Sequence, residues 1–464
     1  MTPPDALDAA VNAARTYLAG LPDRPVGARA SLEELRAALG GPLPQVGTDA
    51  VRVVTELARH ADAGIVASAG PRYFGFVVGG SLPAALATDW LVSAWDQNAG
   101  IYALSPAASV VEETAAQWLL ELFGLPATAS LGFVTGGQMA NATCLAAARH
   151  AVLRKAGWDV EQQGLYGAPE IDVVVGGEAH VTIFAALRYL GLGAARVRTV
   201  PVDGQGRMRP DKLREALSGT VGPTIVCAQA GNVNTGAFDP LDEIAGIAGG
   251  RGAWLHVDGA FGLWAATSPG RRALTKGLER ADSWATDAHK SLNVPYDNGI
   301  AIVADAGAHR AAMTSTAAYI VKAADDRRDP DDWTPEFSRR ARGFTVYAAI
   351  KALGRSGVSE MVERSCVEAR GMAERLRKGP GVEILNDVVY NQVLVRFHPG
   401  GGGDVDANTR AVIERVQQDG TCWLAGTTWQ GKAAMRISVS GWSTTDDDIA
   451  RSADAILKAS RGPS

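Results

Sequence analysis

The chain reads as an α/β protein built on a mostly parallel central sheet with helices on both faces. Short apolar runs of strand length alternate with amphipathic segments of helix length across residues 131–305. This is the pattern of crossover units, whose parallel strands are covered on both sides. Asp258, His289 and Lys290 fall at or just after the ends of such runs, where open α/β sheets bind their ligands. After about residue 345 the pattern changes to long helical periodicity with a few late strands, which predicts a smaller C-terminal α+β domain.

Taken in order, residues 1–81 predict a helical arm, with apolar positions at helical spacing in SLEELRAALG and VRVVTELARH. Residues 82–345 form the large domain. Its strand candidates are LGFVTGG (131–137), IDVVVGG (171–177), ARVRTVPVD, PTIVCAQAG, AWLHVDGA, SWATDAH and GIAIVAD. Between them lie helical MANATCLAAARHAVLRKAG, VTIFAALRYLGLG, RPDKLREALS and LDEIAGIAGG, and right-handed crossovers are expected. Residues 346–464 form the smaller domain, with long helices over 345–378 and strands in VVYNQVLVRFH and AAMRISVSG. The four glycines at 400–403 are a loop.

Composition narrows the function classes. A net charge of −5 with both signs mixed along 464 residues carries no basic footprint for nucleic acid and no polybasic membrane patch. The four cysteines, at 144, 227, 366 and 422, form no CxxC pair, which argues against a zinc ribbon or a secreted disulfide framework. The N-terminal segment lacks the cationic start and apolar core of a secretion signal, and the uncharged run at 122–137 is broken by Gly and Pro. A cytoplasmic protein is expected.

Four local features carry chemistry. In FVTGGQMAN, Gly136 and Gly137 precede a helix, so exposed backbone N–H groups and the helix N-terminus can receive a phosphate. No GxxxxGK[ST] or GxGxxG pattern is present. Asp258 in HVDGAFG ends an apolar strand, and a carboxylate there needs a cationic partner or donors. His180 follows a strand and opens a helix, and Lys290 sits in DSWATDAHKSLNVPYDNG behind two aspartates. A metal set from His180, His256, His289, Asp258 and Cys227 is disfavoured, since no two of these histidines have ligand-type helical spacing. A phosphate cradle, a carboxylate for a ring nitrogen, a histidine to cover the ring and a lysine to hold an aldehyde as an imine are together the requirements of pyridoxal 5'-phosphate.

At these residues the chain resembles the group II pyridoxal-phosphate-dependent amino-acid decarboxylases, the family of aromatic-L-amino-acid, histidine and glutamate decarboxylases. The matching segments are PRYFGFVVGGSLPAALATDWL, SPAASVVEE, TGGQMANATCLAAAR, GEAHVTIFAALRYLGLG, AGNVNTGAFDPLDEIAGIA, HVDGAFG and DSWATDAHKSLNVPYDNG. They run in the family's order over about residues 71–305, and weaker similarity reaches RISVSGWSTTDDDI. The resemblance implies fold type I, the aspartate-aminotransferase-like fold, with the site at a homodimer interface. It also implies that Gly136, Gly137 and Gln138 line the phosphate, that His180 stacks on the ring and that Asp258 pairs with its nitrogen. By the same resemblance Ala260 lies beneath the ring, Asp287 and His289 flank Lys290, and Asn232 and Asn234 approach the cofactor. Tyr319, in TSTAAYIVKAADD, matches the family's loop tyrosine that helps to protonate Cα after carbon dioxide leaves.

The departures are Gln138-Met139 where relatives have Ser or Thr before Glu, Gly231-Asn232-Val233 for Gly-Thr-Thr, Gly259 for alanine and Ser291 for tryptophan. None removes a required chemical group. The expected reaction is decarboxylation of an L-amino acid to its amine, with an aromatic substrate as the leading class. Trp95, Gln97 and Asn98, in the segment that forms the substrate mouth in relatives, mix aromatic and amide groups and decide little. The alternatives are another reaction of the same cofactor (aldehyde synthase, aminotransferase or carbon–carbon lyase) or a catalytically silent regulatory paralogue.

Overall fold

The structure, a computed structural model, describes residues 3–315 and 327–462. Its main sheet holds β1 (Ser130–Val134), β2 (Asp172–Gly176), β3 (Arg198–Val200), β4 (Thr224–Gln229), β5 (Trp254–Asp258), β6 (Ser283–Asp287) and β7 (Gly299–Val303). Their order is β1-β7-β6-β5-β4-β2-β3. β3, β2, β4, β5 and β6 pair in parallel, whereas β7 runs antiparallel to both β6 and β1. The reversal follows from chain length: residues 288–298 are all that join β6 to β7, too few for a helical crossover. That short connection carries Lys290.

Each strand's side chains alternate between two covered faces. Val173, Val175, Ile225 and Cys227 pack with the helices Gly137–Lys155, Val181–Tyr189 and Ala306–Met313. Val174 and Val226 pack with the helices Pro106–Phe123, Pro210–Ser218 and Leu241–Gly250 on the other side. Burial on both faces explains why the strands read as continuous apolar runs.

A second, antiparallel sheet contains β8 (Val382–Ile384), β9 (Gln392–Phe397), β10 (Ala425–Trp429) and β11 (Lys432–Ser438), in the order β10-β11-β9-β8. Its core joins Val393, Val395, Met435 and Ile437 to Met372, Val412 and Ile449 from three helices. The long helical stretch Gly343–Leu376 is interrupted at Gly354, whose φ of 62° no helix accommodates.

The N-terminal region departs from a continuous helical reading. Helices occupy Pro3–Gly20, Leu32–Leu39 and Ala50–Ala61, but residues 65–82 form an irregular strap. Pro71 and the glycines at 70, 75, 79 and 80 deny it a helix. The strap is tied to the small-sheet region: the Phe74 N–H donates to Trp423 O, and the Ser438 N–H donates to Phe74 O. It then passes behind the β6–β7 connection so closely that a Cβ on Gly79 would lie 2.1 Å from the carbonyl oxygen of Lys290. Among the described residues no helix is long and apolar enough to cross a membrane.

Candidate active site

The carboxyl ends of β1, β2, β5 and β6 deliver one group each to the same edge of the sheet. After β1 the chain turns at Gly136 into the helix Gly137–Lys155, whose N-cap has no side-chain hydrogen bond. Its first backbone N–H groups are therefore available to an anion. Glycine is required here by space. A Cβ on Gly137 would lie 2.8 Å from Asp287 Oδ2, and one on Gly136 would lie 3.3 Å from His289 Cε1. The Gln138 side chain turns away, donating from Nε2 to the Tyr189 hydroxyl at 2.9 Å, which leaves its main chain at the turn.

Lys290 extends to Asp287, with Nζ 2.7 Å from Oδ2. The Asp287 side chain is 2% exposed and its other oxygen, Oδ1, has no hydrogen-bond partner. His289 stands 3.4 Å from that oxygen through Nε2, while its Nδ1 accepts from the Asn298 N–H at 3.1 Å. The proton of the neutral ring is therefore on Nε2, on the side of Asp287. Burial pushes the His289 imidazole below its usual range, against the pull of Asp287. Tyr296 stacks on the His289 ring at 4.2 Å between centroids.

Asp258, at the end of β5, is buried and accepts from Asn141 Nδ2 at 3.1 Å and from the Ala260 N–H at 3.1 Å. Burial raises its carboxyl above the usual range despite His180, Lys290 and these two bonds. A cationic ring nitrogen is the partner that would offset that penalty. Ala260 holds the neighbouring backbone, its carbonyl accepting from the Asp287 N–H at 2.9 Å. His180 caps the helix Val181–Tyr189, with Nδ1 at 2.9 Å from Thr182 Oγ1. Burial pushes this imidazole down, and Asp258 only partly restores it. A neutral, flat ring results, suited to stacking on a heterocycle.

Asn232 and Asn234 are placed differently from the group around Lys290. Asn232 Oδ1 accepts from the N–H groups of Asn234 at 2.8 Å and Thr235 at 3.1 Å, closing the turn after β4. Asn234 Oδ1 accepts from Thr427 Oγ1 at 2.9 Å on β10. Both carbonyl oxygens are spent holding the turn and tying it to the small sheet. Trp95 packs edge-on against Phe344, Gln97 Nε2 donates to Trp95 O, and Asn98 Oδ1 accepts from the Arg339 N–H. These three sit against residues 339–344. Tyr319 lies outside the described residues.

A family model described as "Pyridoxal-dependent decarboxylase conserved domain" matches residues 33–398. The chain belongs to this decarboxylase family. It is 30% identical over 380 residues to the acidic amino acid decarboxylase GADL1 of Bos taurus, covering 78% of this chain and 72% of that protein. It is 28% identical to tryptophan decarboxylase 1 of Oryza sativa subsp. japonica, covering 87% and 82%. The crystal structure of Oryza sativa TDC with PLP and tryptamine superposes with a TM-score of 0.90 at 25% identity, covering 98% of this chain and 96% of that one. The protein is thus a pyridoxal-phosphate-dependent amino-acid decarboxylase of fold type I. The donor set fits the cofactor: an uncapped helix N-terminus with room made by two glycines, a reachable amine at Lys290, and a buried carboxylate short of a cation.

Three further residues approach the same region: Asn141 and Arg436, which no local sequence feature singled out, and His256, which the sequence offered only as a disfavoured metal ligand. Asn141 lies four positions into the helix from Gly137, one turn on, and so faces inward with it. His256 precedes Asp258 by two on β5 and shares its face. Arg436 arrives from β11, buried, with Nη1 donating to Val233 O at 3.4 Å and Nε unpartnered. Its charge is felt at His180.

Proposed function

We propose that the decarboxylase holds its cofactor on Lys290, with the Gly136–Gly137 turn and the Gln138 main chain at the phosphate, Asp258 at the ring nitrogen and His180 on the ring face. The observation that supports this reading best is the convergence of these groups from four strand ends on one edge of the sheet. When bound, pyridoxal phosphate supplies an electron sink for the bond broken at Cα.

The chain's own residues do the rest. Asp287 holds the Lys290 amine in place at 2.7 Å, and His289 keeps its Nε2–H beside Asp287 at 3.4 Å. Asp258 keeps a negative charge against the ring nitrogen, which maintains the sink. His180 positions the ring, and the bond aligned perpendicular to it is the one that breaks. Burial pushes the His180 imidazole down, and the proton that replaces carbon dioxide comes from Tyr319 or His180.

An aromatic L-amino acid is the substrate class proposed from sequence, and the relative named tryptophan decarboxylase supports it. A second reading, an acidic side chain, is favoured by Arg436, whose unpartnered Nε is a buried donor seeking an anion, and by the relative named acidic amino acid decarboxylase.

The active form is proposed to be a homodimer. Leu32 and Leu39, seven apart, and Val53 and Leu57, four apart, are exposed on arm helices that contain no buried residue, leaving an apolar face for a second copy. A division into residues 1–81, 82–345 and 346–464 is proposed, and the separate core of the small sheet supports a distinct C-terminal unit, although residues within 346–366 pack into the large core. Cytoplasmic residence is supported by four buried, unpaired cysteines.

The test is a panel of aromatic, acidic and other L-amino acids given to the cofactor-loaded protein, with products identified by mass spectrometry and Lys290→Ala as control. Amine and carbon dioxide, absent from the control, are the expected products. Aldehyde or keto acid would overturn the role given to Tyr319, and turnover by the control would overturn that of Lys290.

A further inference from the structure

A continuous line of buried hydrogen bonds runs from the sheet interior to both residues that face the cofactor ring. Trp254 Nε1 lies 2.9 Å from Ser283 Oγ, and Ser283 Oγ lies 2.9 Å from His256 Nδ1. His256 Nε2 lies 2.9 Å from Asn141 Oδ1. The Asn141 amide nitrogen then reaches Asp258 Oδ2 at 3.1 Å and Thr182 Oγ1 at 3.3 Å. Thr182 Oγ1 in turn lies 2.9 Å from His180 Nδ1. Asn141, His256 and Ser283 are fully buried, so no water competes for the bonds among them.

The direction of every bond can be worked out from its ends. An indole N–H only donates, and an ionised carboxylate only accepts. Starting from Asp258, the Asn141 amino group must point at the carboxylate, so its carbonyl points at His256. His256 Nε2 must then carry the proton, and its Nδ1 accepts from the Ser283 hydroxyl. Ser283, having given its proton, accepts from Trp254. The second Asn141 proton goes to Thr182, whose hydroxyl proton is left for His180 Nδ1, and the His180 proton is placed on Nε2. Reversing the line would turn the Asn141 carbonyl towards the Asp258 carboxylate, setting two acceptors face to face. An ionised Asp258 satisfies all six groups together, and each donor brought to its oxygens by Asn141 and Ala260 favours that form against the burial penalty.

We propose that Asn141, held in orientation by His256, Ser283 and Trp254, is the positioning residue that favours the ionised form of Asp258 and, through the Thr182 hydroxyl, reinforces the Nε2–H tautomer of His180 that the Thr182 N–H also selects. One amide thereby couples the ring-nitrogen partner to the ring-stacking partner. His256 suits this role because burial pushes its imidazole down to about 3, so it remains neutral, with one donor and one acceptor, at any working pH. The inference rests on the roles proposed for Asp258 and His180.

The test uses the full chain loaded with pyridoxal phosphate and compares Asn141→Leu, Ser283→Ala, Ser283→Thr and Asp258→Asn. The readouts are cofactor affinity, the pH midpoint of the bound cofactor's visible absorbance, and kcat and KM separately. Asn141→Leu removes a hydrogen bond to a charged group, worth roughly a tenfold change. It is expected to weaken cofactor binding and lower kcat by that order, to shift the absorbance midpoint, and to leave KM little changed. Ser283→Ala, two bonds away from Asn141 and more easily accommodated, is expected to move the same readouts in the same direction by a smaller factor. Ser283→Thr, which keeps the hydroxyl, is expected to restore them. In the Asp258→Asn background the added effect of Ser283→Ala on the absorbance midpoint is expected to vanish. If Asp258→Asn changes spectrum and affinity but Ser283→Ala matches the parent, the network proposal fails. If Asp258→Asn itself leaves both unchanged, the reading of Asp258 fails.

Discussion

Lys290 should stabilise the cofactor-free protein as well as serve its chemistry. Its Nζ lies 2.7 Å from Asp287 Oδ2, and the Asp287 side chain is 2% exposed against 20% for the lysine. The other carboxylate oxygen has no hydrogen-bond partner, so the lysine is the principal compensation for that buried charge. Removing one partner of a buried pair costs about 3–5 kcal/mol, chiefly because the other charge is left desolvated. Lys290 opens partly to the cleft, and water entering the vacated space lowers the expected cost of Lys290→Ala to about 3 kcal/mol. Adding Asp287→Asn removes the stranded charge, and the double variant should return to within about 1 kcal/mol of the parent. Equilibrium denaturation of the three apoproteins, followed by tryptophan fluorescence, measures this coupling. A Lys290→Ala apoprotein as stable as the parent, or one that Asp287→Asn fails to rescue, would show that Asp287 does not depend on this amine.

Other expectations address separate parts of the molecule. Gly137→Ala forces a Cβ to 2.8 Å from Asp287 Oδ2, so cofactor affinity in a fluorescence titration should fall roughly tenfold or more, the effect of about 1.4 kcal/mol or more of overpacking. His309 is buried beside Ser130 and near the Arg328 charge, and burial lowers its imidazole to about 3. The unfolded chain therefore takes up a proton there first, and the stability this histidine contributes is lost as pH falls below about 6.5. The loss amounts to about 2 kcal/mol by pH 5, so His309→Phe should flatten the decline measured by denaturation at pH 7.5 and pH 5 by that amount. Arg436→Leu should lower kcat/KM for an acidic substrate by roughly tenfold or more and leave an aromatic one within about threefold, which separates the two substrate classes. Replacing Val53 and Leu57 by glutamate puts charge on the exposed face of the arm, and light scattering should then report a smaller assembly than the parent.

How much the sequence alone determined follows from the range of each signal. Apolar runs, glycine turns and helical spacing are local, and they located the sheet, the Gly136–Gly137 turn and the strand-end positions of Asp258 and Lys290. Local signals also mark which residue ends a strand, so the edge carrying the chemistry was legible before any contact was known. Strand direction was less so: β7 is antiparallel because the connection carrying Lys290 is too short for a crossover. The strap at residues 65–82 is non-helical and is placed by its bonds to the small sheet.

Partnership was decided only in three dimensions. Asn141 and His256 are 115 positions apart and meet because a helix lies across one face of β5. Arg436 approaches the site from a different sheet, and the carbonyls of Asn232 and Asn234 are claimed by a turn and by Thr427. A hydrogen bond depends on a few tenths of an ångström and on which way a donor points. Spacing along the chain can name the residue types a cofactor needs, but only register and packing decide which of them face it and which hold the others in place.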